Sequence, residues 1–381
     1  MNETVETACT ALRREVLEML GADATETEEL LAYNRNVFEP SPELVEHGLP
    51  LPDEPFVEAW DAYASRSSTE GALAVLRDVL VQLRFPIREG ISHDKDYQAA
   101  TRRGEWPLSQ GSGIPLEQPD GVRIRLEGTP AGRIPVIVVS SRADFEALVR
   151  AVTARNEPVP ISRTVNAFMV SGYVNWDRVR RYRRRWSVSN PDGDWRSEFR
   201  RLADRRPLYQ DRFIIACRGT YSGIDADALG LDPEQWQALS LEIRVGHESA
   251  HYFTKRAFSS MRNNLLDELI ADYAGLVVAF GRFRADWFLH FLGLENYPQY
   301  RVGGRLDTYR GDPPLSEGAF TILKAVVARA AATVETVDHQ LFLEAEPGVN
   351  GRMIRALTCL TLEELASGNG AEHLRLALPE R

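Results

Sequence analysis

The pentapeptide HESAH at residues 247–251 is the feature that most restricts how this chain folds. Residues four apart lie on the same face of an α-helix, so the two histidines can act together if the segment is helical. Two imidazoles in this arrangement, with a carboxylate between them, are typical of a divalent-metal site that carries its own general base. The residues from Asp232 to Glu234, about four turns upstream, predict the start of that helix.

A catalytic zinc usually has three protein ligands, so two histidines are not enough. The Asn264 cap and the apolar spacing after it predict a second amphipathic helix. Glu268 and Asp272 lie one turn apart on that helix, which lets one carboxylate bind the metal while the other orients a ligating imidazole. Asp267, three residues after Asn264, is interpreted as a first-turn acid that favours the helix dipole and the cap.

HExxH followed by a helix carrying ExxxD resembles the gluzincins, the zinc metallopeptidase group that includes the thermolysin-like enzymes. The resemblance covers about residues 240–280. It implies one zinc ion per chain and a zincin-like α+β core, with a small sheet, the HExxH helix and C-terminal helices. It also implies the roles of five residues: the zinc ligands are His247, His251 and Glu268, the general base is Glu248, and the acceptor behind a ligand is Asp272.

A weaker resemblance concerns the segment NAF at residues 166–168, which is similar to the segment that some gluzincins place on the strand holding the substrate backbone. Asn166 is therefore a candidate substrate contact, although a turn residue at a strand end has the same composition. One position departs from the family: Arg244 stands three residues before the first histidine, where an uncharged residue is common. Further candidates to bind substrate or stabilise the oxyanion are Tyr221, His290, Arg301, Arg305 and Tyr309.

Charge and hydropathy narrow the classes of protein to consider. The 381 residues carry 45 basic and 55 acidic side chains, a net charge of −10, which argues against a general nucleic-acid binder. The three cysteines are too few and too widely spaced to indicate a disulfide framework. The sequence shows no secretion signal and no long apolar segment, so we expect no membrane span and a cytoplasmic location.

The pattern of apolar residues predicts two regions. Residues 1–118 have helix-like spacing, interrupted by loops at 39–53 and 104–120. From residue 119 to 381 we expect the zincin-like catalytic domain, with strands near 122–126, 134–139, 165–170 and 212–217 and a capped helix over 141–152. The fold class that follows is α+β, with a helical N-terminal region before the catalytic core.

An arginine-rich insertion lies near residues 176–206. Its arginines alternate with aromatic residues, a combination that binds phosphate or stacks on bases. Acidic residues are interspersed, however, and the sequence at 190–193 interrupts any continuous helix. A solvated, ion-paired insertion is the favoured interpretation.

The sequence thus favours a zinc-dependent hydrolase that cleaves an amide bond in a restricted substrate, either a peptide or an amide-bearing small molecule. Two alternatives stay open. Histidines and carboxylates also bind non-haem iron, and some HExxH proteins resemble oxidative tailoring enzymes of peptide natural products. A binding protein with a metal site and no catalysis is the other alternative.

Overall fold

The computed structural model describes residues 3–105, 113–260, 264–343 and 349–379. The described chain is α+β, mostly helical, with one small mixed sheet of four strands, which confirms the coarse fold class predicted from the sequence. None of its helices combines the length and the apolar character that crossing a lipid bilayer requires.

The elements follow one another in a simple chain order. The helices are α1 (Glu3–Met19), α2 (Ala24–Tyr33), α3 (Pro42–His47), α4 (Val57–Glu70), α5 (Ala72–Val79), α6 (Lys95–Arg103), α7 (Arg142–Thr153), α8 (Trp176–Ser189), α9 (Trp195–Ala203), α10 (Pro233–Phe258), α11 (Leu265–Phe280), α12 (Ala285–Leu292), α13 (Glu317–Leu343), α14 (Val349–Leu357), α15 (Leu362–Ala366) and α16 (Gly370–Leu376). The strands are β1 (Arg123–Thr129), β2 (Gly132–Val139), β3 (Ala167–Val174) and β4 (Gln210–Cys217). Helix α3 occupies part of the loop predicted at 39–53, because Ser41 caps its first turn and Pro42 begins it.

The chain packs as two compact units that do not coincide with the boundary predicted near residue 118. One unit combines residues 1–49 with 220–381, and the other consists of residues 50–219. The N-terminal helices belong with the C-terminal ones because Arg13 and Asn34 both bond the buried carboxylate of Glu363, at 3.2 and 2.9 Å. The predicted loop at 104–120 lies partly outside the described residues.

The unit of residues 50–219 holds the sheet, in the strand order β1-β2-β4-β3. Strand β2 pairs antiparallel with β1 and parallel with β4, while β3 pairs antiparallel with β4. The central strands β2 and β4 carry long apolar runs and are almost wholly buried, as expected for strands covered on both faces. The sheet and the HExxH helix, which the sequence prediction placed in one core, therefore belong to different units.

The arginine-rich segment forms α8 and α9, with the predicted break between them. Arg178 makes a buried ion pair with Asp211 of β4, and Arg181 pairs with Asp177 at 2.6 Å. The ring of Trp195 packs against other aromatic rings of the pair of helices, those of Tyr182, Trp186 and Phe199. The ion pairs support the ion-paired interpretation of this segment. The aromatic side chains pack against one another where the two helices meet.

The other unit is built around the contact between α10 and α11. Asp232 caps α10 with its side chain, and Asn264 caps α11, both as predicted. The two helices approach each other at Gly246 and Gly275: a Cβ atom at Gly246 would lie 2.8 Å from the Gly275 Cα, and one at Gly275 would lie 2.4 Å from the Ile243 carbonyl oxygen. Only glycine permits this approach, which places the next residue, His247, against α11.

We predict that Gly275→Ala destabilises the fold by about 1–3 kcal/mol, because its methyl group meets backbone atoms that cannot move aside cheaply. Urea unfolding of the metal-free protein measures the change. Gly368→Ala is the matched control, since a Cβ atom there has open space around it. Equal unfolding free energies for Gly275→Ala and wild type would show that the helix contact has more room than the structure gives it.

Candidate metal centre

Three side chains converge where α10 faces α11. The Nε2 atoms of His247 and His251 are 3.1 Å apart. Glu268 on α11 faces both, with one carboxylate oxygen 3.5 Å from the first nitrogen and the other 3.7 Å from the second. All three side chains are largely buried, with exposed fractions of 12%, 8% and 5%. The structure thus brings together the three ligands predicted from the sequence.

The outer nitrogen of each histidine faces a carboxylate on α11. The Nδ1 atom of His247 lies 2.9 Å from an oxygen of Asp272. The Nδ1 atom of His251 lies 3.6 Å from an oxygen of Asp267, which also accepts a hydrogen bond from the Thr254 hydroxyl. An ionised carboxylate only accepts hydrogen bonds, so His247 directs its Nδ1–H at Asp272 and, when neutral, presents the lone pair of Nε2 to the centre of the cluster. The charge of Asp267 favours the same orientation of His251.

This arrangement is unfavourable unless a cation balances it. With both imidazoles neutral, two nitrogen lone pairs and a carboxylate would point at one another in a site that excludes most water, where repulsion between them is strong. Their separations of 3.1–3.7 Å are close to the spacing of about 3.3 Å that a tetrahedral ion would impose at ligand distances of about 2.0–2.1 Å. The donor set of two imidazoles and one carboxylate fits zinc.

The surrounding charges favour a positive charge at the cluster. Burial by itself would lower the pKa of His251, but the carboxylate of Asp267, together with Glu268 and Glu248, raises it to about 9. The His251 imidazole therefore takes up a proton readily when no other cation is present. A metal that binds here displaces that proton, which couples its affinity to pH.

A second layer of bonds holds Asp272 against His247. The Tyr221 hydroxyl donates to Asp272 at 2.7 Å, and the guanidinium of Arg305 makes an ion pair with the other carboxylate oxygen. Burial by itself would raise the pKa of Asp272, but Arg305 and the hydrogen bonds from His247 and Tyr221 lower it to about 2. The Asp272 carboxylate thus stays ionised and remains an acceptor for the His247 N–H.

Tyr309 bonds the third ligand. Its hydroxyl donates to Glu268 Oε2 at 2.7 Å, and burial raises the pKa of this tyrosine, so the hydroxyl keeps its proton. Arg305 and Tyr309, predicted as substrate or oxyanion contacts, therefore lie beside the candidate ligands, and each is engaged with a carboxylate of α11. Their role toward substrate stays a prediction.

Glu248 lies on α10 between the two histidines and is partly exposed. Within the described residues its carboxylate has no hydrogen-bonding or ion-pairing partner. It differs in this respect from Asp267, Glu268 and Asp272, each of which is bonded from outside the cluster. An acid with a free carboxylate beside the ligands suits a general base.

The family of the chain follows from a comparison with family models. Residues 15–369 match the model of a family of unknown function, DUF7005. The chain belongs to that family. No curated protein and no solved structure matches the chain. The assignment of a candidate metal centre in this DUF7005 protein therefore rests on its own geometry.

The remaining candidates have other surroundings. Asn166 belongs to the unit of residues 50–219, where its side chain accepts a hydrogen bond from Arg142 at 3.1 Å just before the edge strand β3. Arg301 pairs with Glu295 at 2.6 Å and donates to the carbonyl oxygen of His290. No contact among the described residues joins the side chains of His290 or Arg301 to the metal ligands. A role for these three residues toward substrate stays a prediction.

Three contributors to the site were not anticipated. Asp267 was interpreted as a capping residue, but the cap bond uses its backbone N–H, which leaves the carboxylate to face His251. Arg244, which departs from the gluzincin pattern, donates to the Thr220 carbonyl oxygen and lies over the Tyr221 ring. The hydroxyl of Tyr33, far away in the sequence, bonds the backbone oxygen of Tyr309.

We predict that Asp272→Asn destabilises the metal-free protein by about 3–5 kcal/mol at neutral pH, because it leaves the Arg305 charge largely buried and unpaired. The folded-state pKa of Asp272 lies below its ordinary value of 3.8, so the stabilisation is present above about pH 4 and is lost as the pH falls toward 2. Denaturant unfolding between pH 7 and pH 2 measures this loss.

The matched control is Glu295→Gln, which breaks the more exposed ion pair with Arg301 and should cost about 0–1 kcal/mol. If Asp272→Asn costs no more than this control at pH 7, the buried ion pair does not hold the site together.

Proposed function

We propose that this chain is a zinc-dependent hydrolase that cleaves an amide bond in a restricted substrate. The proposed ligands are His247, His251 and Glu268, and the proposed general base is Glu248. The observation that carries the proposal is the convergence of two imidazole nitrogens and a buried carboxylate. The Glu248 carboxylate, which has no hydrogen-bonding partner within the described residues, lies on the same helix as the two histidines. The resemblance of HExxH and ExxxD to the gluzincins supports the same assignment.

The proposed chemistry divides the work between the metal and the chain. A zinc ion at such a site lowers the pKa of a bound water to about 7 and polarises the scissile carbonyl. Glu248 accepts the proton of the attacking water and delivers it to the leaving nitrogen, so that the amine departs neutral. Asp272 accepts the N–H of His247 at 2.9 Å and fixes its orientation, and the charge of Asp267, 3.6 Å from His251 Nδ1, favours the matching orientation of His251.

Burial of the cluster supports a restricted substrate. At most 12% of any ligand side chain is exposed, so a substrate has little room to reach a metal at this position. A general endopeptidase needs an open cleft that admits an extended backbone. We therefore propose that the substrate is a short peptide or a small molecule with an amide bond. The oxyanion candidates that lie beside the ligands, Tyr221, Arg305 and Tyr309, each bond a carboxylate of α11.

We predict about one zinc per chain in protein purified without chelator. His251→Ala and Glu268→Ala should lose the metal because each removes one of three ligands, whereas Glu248→Gln should retain it. Elemental analysis after anaerobic purification measures the content and also identifies iron if iron is bound. His47→Ala, an exposed histidine of the same unit, is the control and should keep its zinc. Zinc retained by Glu268→Ala at wild-type affinity would contradict the proposed ligand set.

We predict that the zinc-loaded protein leaves unfolded casein intact and hydrolyses members of a library of short peptides and small N-acyl amides. Glu248→Gln should lower that turnover by about 10²- to 10⁴-fold while keeping the metal, because it removes proton transfer alone. Zinc-dependent casein digestion that disappears in Glu248→Gln would contradict the restricted substrate. Undiminished turnover in Glu248→Gln would contradict its role as the base.

A further inference from the structure

The turn that follows α12 supplies the bonds that hold the carboxylates of α11. This 3₁₀ turn, which we call the strap, spans Arg305–Tyr309. Arg305 bonds Asp272 from the start of the strap, and Tyr309 bonds Glu268 from its end. The strap thus contacts both Asp272, which orients His247, and Glu268, which is itself a proposed ligand.

We propose that Tyr309 is a positioning residue that sets which oxygen of Glu268 is offered to the metal. This inference rests on the proposed metal site. The Tyr309 hydroxyl donates to Oε2, which lies 3.5 Å from His247 Nε2. The other oxygen, Oε1, lies 3.7 Å from His251 Nε2 and accepts no hydrogen bond within the described residues. A strong donor on one oxygen fixes the rotation of the carboxylate and lowers the electron density of that oxygen. Glu268 then binds through Oε1 alone, which keeps a coordination position for water.

The strap is held in place without help from the metal. At its start, a Cβ atom at Gly304 would lie 2.5 Å from the Leu292 carbonyl oxygen, so the chain is pressed against the end of α12. At its end, the hydroxyl of Tyr33 on α2 bonds the backbone oxygen of Tyr309. The Arg305 guanidinium lies over the Tyr309 ring, 5.9 Å from its centroid, which fixes the orientation of the ring. A hydroxyl placed in this way is preorganised for Glu268.

The test is the zinc affinity of Tyr309→Phe, measured with zinc alone by competition against a chromophoric chelator. The variant keeps the ring under Arg305 and removes only the hydroxyl, so we expect a loss of about 10- to 100-fold in affinity. The matched control is Tyr297→Phe, the same substitution at a tyrosine that is 44% exposed, which should bind zinc as wild type does. Unfolding of the metal-free variants shows that both are folded.

A second measurement separates positioning from a general loosening of the site. With cobalt in place of zinc, the visible absorption of the ion reports its coordination number and geometry. We expect the spectrum of Tyr309→Phe to shift toward higher coordination, as Glu268 turns to bind through both oxygens. A folded Tyr309→Phe variant with wild-type zinc affinity and an unchanged cobalt spectrum would overturn the inference. A wild-type protein that binds no zinc would instead overturn the proposed function on which it rests.

Discussion

The contact between α10 and α11 decides the geometry of the whole candidate metal centre. Gly246 and Gly275 let the two backbones meet without side chains between them. The helices run antiparallel at that point, so residues one turn further along α10 face residues about one turn earlier on α11. His247 therefore meets Asp272, and His251 meets Asp267. One close approach of two helices fixes both orienting carboxylates and the ligand between them.

Negative charge is concentrated at this contact and is only partly balanced by positive charge. The three acids of α11, Asp267, Glu268 and Asp272, are all largely buried, and within the described residues Arg305 is the guanidinium that contacts one of them. Burying a carboxylate without a partner of opposite charge destabilises the fold, because the charge loses its hydration. A divalent cation bound at the cluster would offset this destabilisation, and a proton on His251 offsets part of it when no metal is bound.

The sequence predicted the clustering of the three candidate ligands because helix periodicity converts spacing into a shared face, and that rule holds without tertiary information. It placed His247, His251 and Glu268 together, and it found both helix caps. It assigned Asp267 to capping because a first-turn acid fits a local rule, whereas its actual contact depends on the antiparallel register of two helices. The sequence does contain the acids for this pairing: Asp272 for His247 and Asp267 for His251. The bonds from Tyr33 and Arg305 depend on distant packing, which no local pattern records.

The division of the chain has a consequence for its synthesis. The unit of residues 50–219 is continuous, so it can begin to fold as soon as it leaves the ribosome. The helices before residue 50 must wait, because Arg13 and Asn34 find their partner only when Glu363 has been made. At about 5–20 residues per second this delay is on the order of tens of seconds. During that time the first helices lack α13 and α15, against which they pack in the folded chain.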